Sequence, residues 1–201
     1  MPANVPTQDA SPHLVANRDH AAKNTHLDVC LVSDVEYQKS AGFDRYTFFH
    51  NALPELDLDA IDLSTSLAGK ALLAPLMIAP MTGGVHRGQA INALLAEAAQ
   101  AFGLAIGVGS QRIALEEAQR SQHFRIRVHA PTALVFANIG GGQLCKGWGT
   151  TEALRAVDMV EANALFVHLN PLQEACHRGD VHFGGLLKGI AALCIDLEKH
   201  R

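Results

Sequence analysis

Between Leu72 and the C-terminus, short apolar runs and stretches of helical pattern alternate four times, and this alternation limits the fold more than any other feature of the chain. The runs are Leu72 to Ala79, Leu104 to Gly109, Ala133 to Ile139 and Ala164 to Leu169. Each is continuous rather than alternating apolar and polar, the pattern of a strand covered on both faces. Between and after them the spacing predicts helices at Gly88 to Phe102, Leu115 to Gln122, Thr151 to Glu161 and His182 to about Leu197. Gly103 stands where a helix commonly ends in a left-handed residue, and the Thr151 hydroxyl is a candidate N-terminal cap. Strands alternating with helices imply a parallel sheet with right-handed crossovers.

Four βα units fit two architectures. A doubly wound sheet closes its core with that number, whereas a barrel of eight units would be cut in half. Upstream, residues 1–17 are rich in Pro, Ala, Asn, Gln and Asp without periodicity and read as a disordered leader outside the fold. His26, Leu27, Cys30, Leu31 and Val35 have helical spacing, which predicts a helix between Asp19 and about Lys39. Tyr46 to Leu63 reads as an extended arm with turns, and Ser64 to Lys70 as a lead-in crossing the bottom of the sheet. The folded domain is then 18–201, an N-terminal helical and extended layer followed by the four βα units.

At 201 residues and 48% apolar the chain can bury a substantial core and reads as one soluble globular domain. A formal net charge of −4, without a Lys/Arg cluster, argues against nucleic acid or a membrane surface as partner. Cys30, Cys145, Cys176 and Cys194 form no CxxC pair, so neither a zinc site nor a disulfide framework is indicated. With no signal-type segment and no apolar run long enough to span a bilayer, a cytoplasmic location is the expectation.

The polar residues cluster where strands end. Pro80-Met81-Thr82-Gly83-Gly84 follows the first strand, and paired glycines there let backbone N–H groups approach a ligand closely. Ser110, Gln111 and Arg112 follow the second, offering a hydroxyl, an amide and a guanidinium suited to phosphate. Asn138 lies in the third, just before Gly140-Gly141-Gly142. The fourth releases His168, Asn170, Gln173 and Glu174 in close succession. Each feature alone is compatible with an ordinary turn or a surface ion pair, but four strand ends marked in the same way indicate a ligand site at the carboxyl rim. No GxGxxG, GxSxG, P-loop or HExxH pattern is present, which leaves Rossmann-type, hydrolase-elbow and zincin chemistry unsupported.

Met81-Thr82-Gly83-Gly84, Gly109-Ser110-Gln111-Arg112, Asn138 and His168-Leu169-Asn170-Pro171-Leu172-Gln173-Glu174, with Asn51-Ala52-Leu53-Pro54-Glu55 and Asp62-Leu63-Ser64-Thr65 upstream, together resemble the type 2 isopentenyl diphosphate isomerases. These are FMN-dependent (β/α)8 barrels that interconvert isopentenyl and dimethylallyl diphosphate, and the likeness runs from about Lys23 to the C-terminus. The resemblance implies α/β architecture, here the N-terminal half of a TIM barrel. It implies that Met81, Thr82 and Gly83 lie along the flavin and that Ser110 and Asn138 hydrogen-bond it. Lys23, His26, Ser110, Gln111 and Arg112 would receive the diphosphate. His168 and Asn170 would line the pocket, Gln173 would stand beside the reacting alkene as a proton-handling group, and Glu174 would bind Mg²⁺. NADPH would keep the flavin reduced.

Two departures from the family pattern stand out: Ala22 where Arg is usual before the lysine, and no counterpart of the barrel's second half, with its flavin-contacting Lys and Gly-rich phosphate loops. A homo-oligomer in which two halves complete one barrel is one expectation from this. An FMN-dependent oxidoreductase of the hydroxy-acid oxidase kind, or a non-catalytic fragment, are the rival readings.

Overall fold

The computed structural model of the chain describes residues 24–177, 179 and 181–200. The leader at 1–17 and Lys23 lie outside the described residues. The described residues open with helix α1 over 24–32, which ends before the Lys39 limit that the spacing predicted, and continue through an exposed arm carrying two single 3-10 turns, Phe43–Arg45 and Leu58–Ala60. A hairpin, β1 (Thr65–Leu67) and β2 (Lys70–Leu72), follows.

Beyond it come β3 (Met77–Ile78), α2 (His86–Ala101), β4 (Ala105–Gly107), α3 (Arg112–Glu116), a 3-10 segment Ala118–Phe124, β5 (Leu134–Gly140), α4 (Gly141–Cys145), α5 (Thr150–Met159), β6 (Ala164–His168), α6 (Pro171–His177) and α7 (Leu186–Glu198). β3 to β6 form a parallel sheet in chain order, each strand beside its predecessor. That sequential order is the arrangement of a barrel wall; a doubly wound sheet reverses direction from a central strand.

The alternation of side chains across each strand divides the core in two. Odd-numbered positions of β5 (Val135, Ala137, Ile139), with Ile106 and Val108, face outward onto α2, α5 and α7 through Ala96, Ala99, Ala153, Ala156 and Leu193. Alanines on the helices allow their backbones to approach the sheet closely, and the larger β-branched residues of the strands fill the space between. The inner face carries Leu72, Ala105, Leu134 and Phe136, with Ala164 and Phe166 packed against them. Phe136 and Phe166 stack with ring centroids 4.5 Å apart. Leu72 from the hairpin plugs the amino-terminal end of this face and is 4% exposed.

Several boundaries differ from the sequence reading, each for a local reason. The run Leu72 to Ala79 is not one strand: Leu72 ends the hairpin, Leu73-Ala74-Pro75 bends, and only Met77–Ile78 pairs with β4. Proline removes a ladder donor and turns the chain there. The helix expected at Leu115 to Gln122 is α3 followed by 3-10 turns. Of the triple glycine, Gly140 ends β5, while Gly141 and Gly142 open α4 and are buried. Pro171 opens α6 at the first helical position, where its missing N–H costs nothing. At α5 the cap is not Thr151: the helix begins at Thr150, and the Glu152 carboxylate reaches back 2.9 Å to the Gly149 N–H. Gly103, by contrast, does terminate α2 at φ +60°, and a Cβ there would strike Leu73 Cγ at 2.5 Å.

Candidate functional site at the carboxyl rim of the sheet

Because the strands are parallel and in chain order, all their carboxyl ends lie on one rim. The segment after β3 crosses that rim. Pro80 lies against Gly107, where a Cβ would come within 2.8 Å of it, and Thr82 O accepts from Gly109 N–H at 2.7 Å. Thr82 is held from the other side by Asn92 of α2, which is 3% exposed. The Asn92 amide donates to Thr82 O at 3.1 Å, and its oxygen accepts the Thr82 hydroxyl. Gly83 adopts φ +153° with its Cα against the Phe124 ring, so a side chain there would collide. Met81 is 68% exposed. Three fixed points thus hold a short loop whose exposed atoms face the rim. Asn92 was missed in the sequence, although a single amide on the buried Gly88, Asn92, Ala96, Ala99 face of an Ala-rich helix is the signal that would have found it.

After β4 the chain leaves the sheet at Gly109 and Ser110, and Ser110 is partly exposed. Arg112 opens α3 with its side chain 28% exposed and 3.6 Å from Glu116. Gln111 is a correction. It is 0% exposed, its amide donates to Ala156 O at 2.8 Å, and its oxygen accepts from Asn138 N–H at 2.9 Å. The side chain that the sequence reading put on the rim is buried against α5, on the helix-covered side of the sheet.

Asn138 is paired across the sheet with Phe166 and shares the inner face with Phe136. It is 1% exposed, and its Oδ1 is buried without a hydrogen-bond partner among the described residues. At the end of β6, His168 is exposed and lies opposite Gly140. The Asn170 amide donates to Gln173 Oε1 at 3.1 Å, and Asn170 O accepts from Glu174 N–H at 3.1 Å, so the first turn of α6 holds Asn170, Gln173 and Glu174 as one group. Gly179 N–H donates to Glu174 O at 2.8 Å, and a Cβ on Gly179 would collide with the Glu174 carboxylate. Among the described residues no three His, Cys, Asp or Glu side chains cluster as a protein-only metal cage.

α1 reaches the same rim through one ion pair, Asp28 to Arg87 at 2.5 Å, which joins it to the amino-terminal turn of α2. His26 lies one turn before Cys30 on α1 and is exposed. Of the residues singled out in the sequence, Met81, Thr82, Gly83, Ser110, Arg112, Asn138, His168, Asn170, Gln173 and Glu174 all come from segments at this rim; His26 is carried to its edge, and Gln111 lies behind it.

Residues 34–136 match the pattern of FMN-dependent dehydrogenases. The chain belongs to the FMN-dependent dehydrogenase family. Within it, the chain is similar to proteins named isopentenyl-diphosphate delta-isomerase: 49% identical over 177 residues to that of Nostoc sp., covering 87% of this chain and 51% of the relative. It is 50% identical over 179 residues to that of Xanthobacter autotrophicus, covering 88% and 52%. For Stutzerimonas stutzeri the figures are 51% over 178 residues, 87% and 51%. The chain spans about half the length of the curated relatives it matches. No helix among the described residues is long and apolar enough to cross a membrane.

The rim fits the family's flavin. A buried amide oxygen lacking a partner costs about 1–3 kcal/mol, and a ring N–H of a flat heterocycle laid on this face is the kind of donor that would satisfy it. The tight approach of the Thr82 backbone to Gly109, where a Cβ would sit 2.5 Å from Thr82 O, keeps bulk out of the same area.

Proposed function

We propose that this chain carries the amino-terminal half of the site of an isopentenyl diphosphate isomerase, interconverting isopentenyl and dimethylallyl diphosphate with reduced FMN and Mg²⁺, NADPH serving as flavin reductant and the cytoplasm as setting. The observation that carries the reading is the Asn138 Oδ1, buried on the inner face without a partner among the described residues, with the fixed loop of Met81, Thr82 and Gly83 on one side and the polar end of β6 on the other. The isomerase relatives add weight, since about nine-tenths of the chain aligns to them.

When bound, reduced FMN supplies an electron-rich ring able to exchange protons with the substrate and to stabilise developing charge. The chain's own part is binding and orientation. An isoprenoid tail presents no polar handle, so the diphosphate must supply the grip, and Arg112 with Ser110 offers a guanidinium and a hydroxyl to it. Lys23 and His26 would be further contacts to the diphosphate. Glu174 would hold Mg²⁺, an ion that commonly keeps several waters and needs one or two carboxylates. His168 and Asn170 line the apolar end. Asn170 fixes the Gln173 amide, which has no useful acid or base character and therefore orients the alkene while proton transfer occurs elsewhere.

Incubation of the chain with FMN, NADPH, Mg²⁺ and isopentenyl diphosphate tests the proposal by formation of dimethylallyl diphosphate. Flavin binding without turnover would limit the proposal to the binding half; a colourless chain that takes up no FMN would overturn it. Glu174→Gln should abolish the Mg²⁺-dependent part of diphosphate binding, and unchanged binding would remove Glu174 from the site.

A further inference from the structure

We propose that Gln111 is a positioning residue that imitates the next rung of the β4–β5 ladder, so that Gly109 and Ser110 can leave the sheet while Asn138 stays locked. The proposal rests on the reading of Asn138 as a flavin contact.

A parallel ladder continues only while both strands supply backbone groups. Here the regular pairing ends at Gly107 with Phe136, and Val108 N–H still donates to Phe136 O at 3.1 Å. The next rung belongs to Asn138, 1% exposed near the end of β5, and β4 has by then turned away. Two unpaired backbone groups at a buried position would be costly. Gln111 meets both: its backbone N–H donates to Asn138 O at 2.9 Å, and its side-chain Oε1 accepts from Asn138 N–H at 2.9 Å. One amide side chain thus stands in for the carbonyl that a continuing strand would have offered.

The other half of that amide is anchored too. Gln111 Nε2 donates to Ala156 O at 2.8 Å and touches Met159 Sδ at 3.4 Å, so α5 fixes the orientation of the carbonyl. The peptide at Asn138 is therefore held by Gln111 on one side and by pairing with β6 on the other. Backbone dihedrals limit the rotamers open to a side chain. Fixing them aims the Asn138 amide into the inner face before any ligand arrives. The same device frees Gly109 and Ser110 from ladder duty, and Ser110 stands on the rim as a result. Glutamine suits this position because it carries a carbonyl and an N–H on one arm; methionine has nearly its length and neither group.

Hydrogen exchange of the unaltered chain provides a test that needs no variant. The Asn138 amide should exchange as slowly as Val135 to Ala137, whereas exchange at loop rates overturns the proposal. Flavin affinity, read by fluorescence quenching, provides the second. Gln111→Met should weaken FMN binding by about tenfold, the effect of one lost hydrogen-bonded contact. It should also split or broaden the Asn138 side-chain amide resonances. Adding Gln111→Met to Asn138→Ala should weaken binding no further than Asn138→Ala alone. Additive losses, or an unchanged affinity and unchanged Asn138 resonances in Gln111→Met, overturn the positioning role. An unchanged affinity in Asn138→Ala alone would instead overturn the flavin contact.

Discussion

The two faces of the same four-stranded sheet are built from alternate residues of the same strands, yet they differ in almost every physical respect. The outer face is dry and complete within the chain: Ile106, Val108, Val135, Ala137 and Ile139 are each at most 1% exposed, covered by helices whose contact residues are mostly alanine. The inner face is apolar only at its amino-terminal end. Phe136 and Phe166 stack at mid-height, and above them the same register brings Asn138 and His168 to the rim. What the difference teaches is that the outer face supplies stability and the inner face supplies a site, with the buried amides of Asn92 and Gln111 joining them.

The largest effect that should follow from this division is on the outer face. Ile106→Ala should cost about 2–5 kcal/mol in denaturant unfolding, because a fully buried side chain is removed and its surroundings cannot collapse around the void. Phe166→Leu on the inner face should cost only about 0.5–1.5 kcal/mol, the worth of an aromatic pair, because Phe166 is incompletely covered. Equal costs at the two positions would break the comparison.

Asn138→Ala should separate binding from stability. FMN affinity should fall by about tenfold, while the unfolding midpoint of the flavin-free chain moves little, since removing a buried oxygen that has no partner among the described residues offsets the loss of the side chain's packing. A midpoint that falls as far as for Ile106→Ala would place Asn138 with the outer, structural set.

The smallest effect concerns α5. The Glu152 carboxyl is held below the ordinary carboxylate range, first by the Gly149 N–H and then by its own N–H. A depressed folded value means that this carboxylate stabilises the fold above the unfolded value, about 4, and that the contribution is lost as pH falls through the lower folded value. Glu152→Gln should therefore lower stability at neutral pH by less than about 0.5 kcal/mol, a site this open to solvent being strongly screened. The difference from the unaltered chain should vanish in acid. A gap that persists at low pH would trace the effect to side-chain packing.

Much of the architecture was legible because periodicity reports burial directly. The runs at Leu104 to Gly109, Ala133 to Ile139 and Ala164 to Leu169 each contain a strand of the sheet, and the helices ending near Gly103 and near Glu161 have close counterparts in α2 and α5. The weaker readings came where two elements share one apolar run. Leu72 to Ala79 looks uniform in sequence, but a hairpin end, a proline bend and a two-residue strand occupy it. Gly140 to Gly142 is a uniform glycine run in sequence, and in the folded chain it divides between the end of β5 and the buried start of α4.

For the candidate site, the sequence by itself determined which segments carry polar groups and that those groups fall at the ends of apolar runs. Residue type and spacing suffice for that, since a strand's interior must be apolar and its end need not be. Which polar groups face the rim was decided only by tertiary structure. Ser110 and Gln111 are neighbours with similar polarity, yet one stands at the rim and the other is locked between Asn138 and Ala156. No local pattern distinguishes them, because direction depends on where β4 turns away and on which partners β5 and α5 bring to meet it. The same holds for Asn138, whose register opposite Phe166 buries its Oδ1 without a hydrogen-bond partner among the described residues.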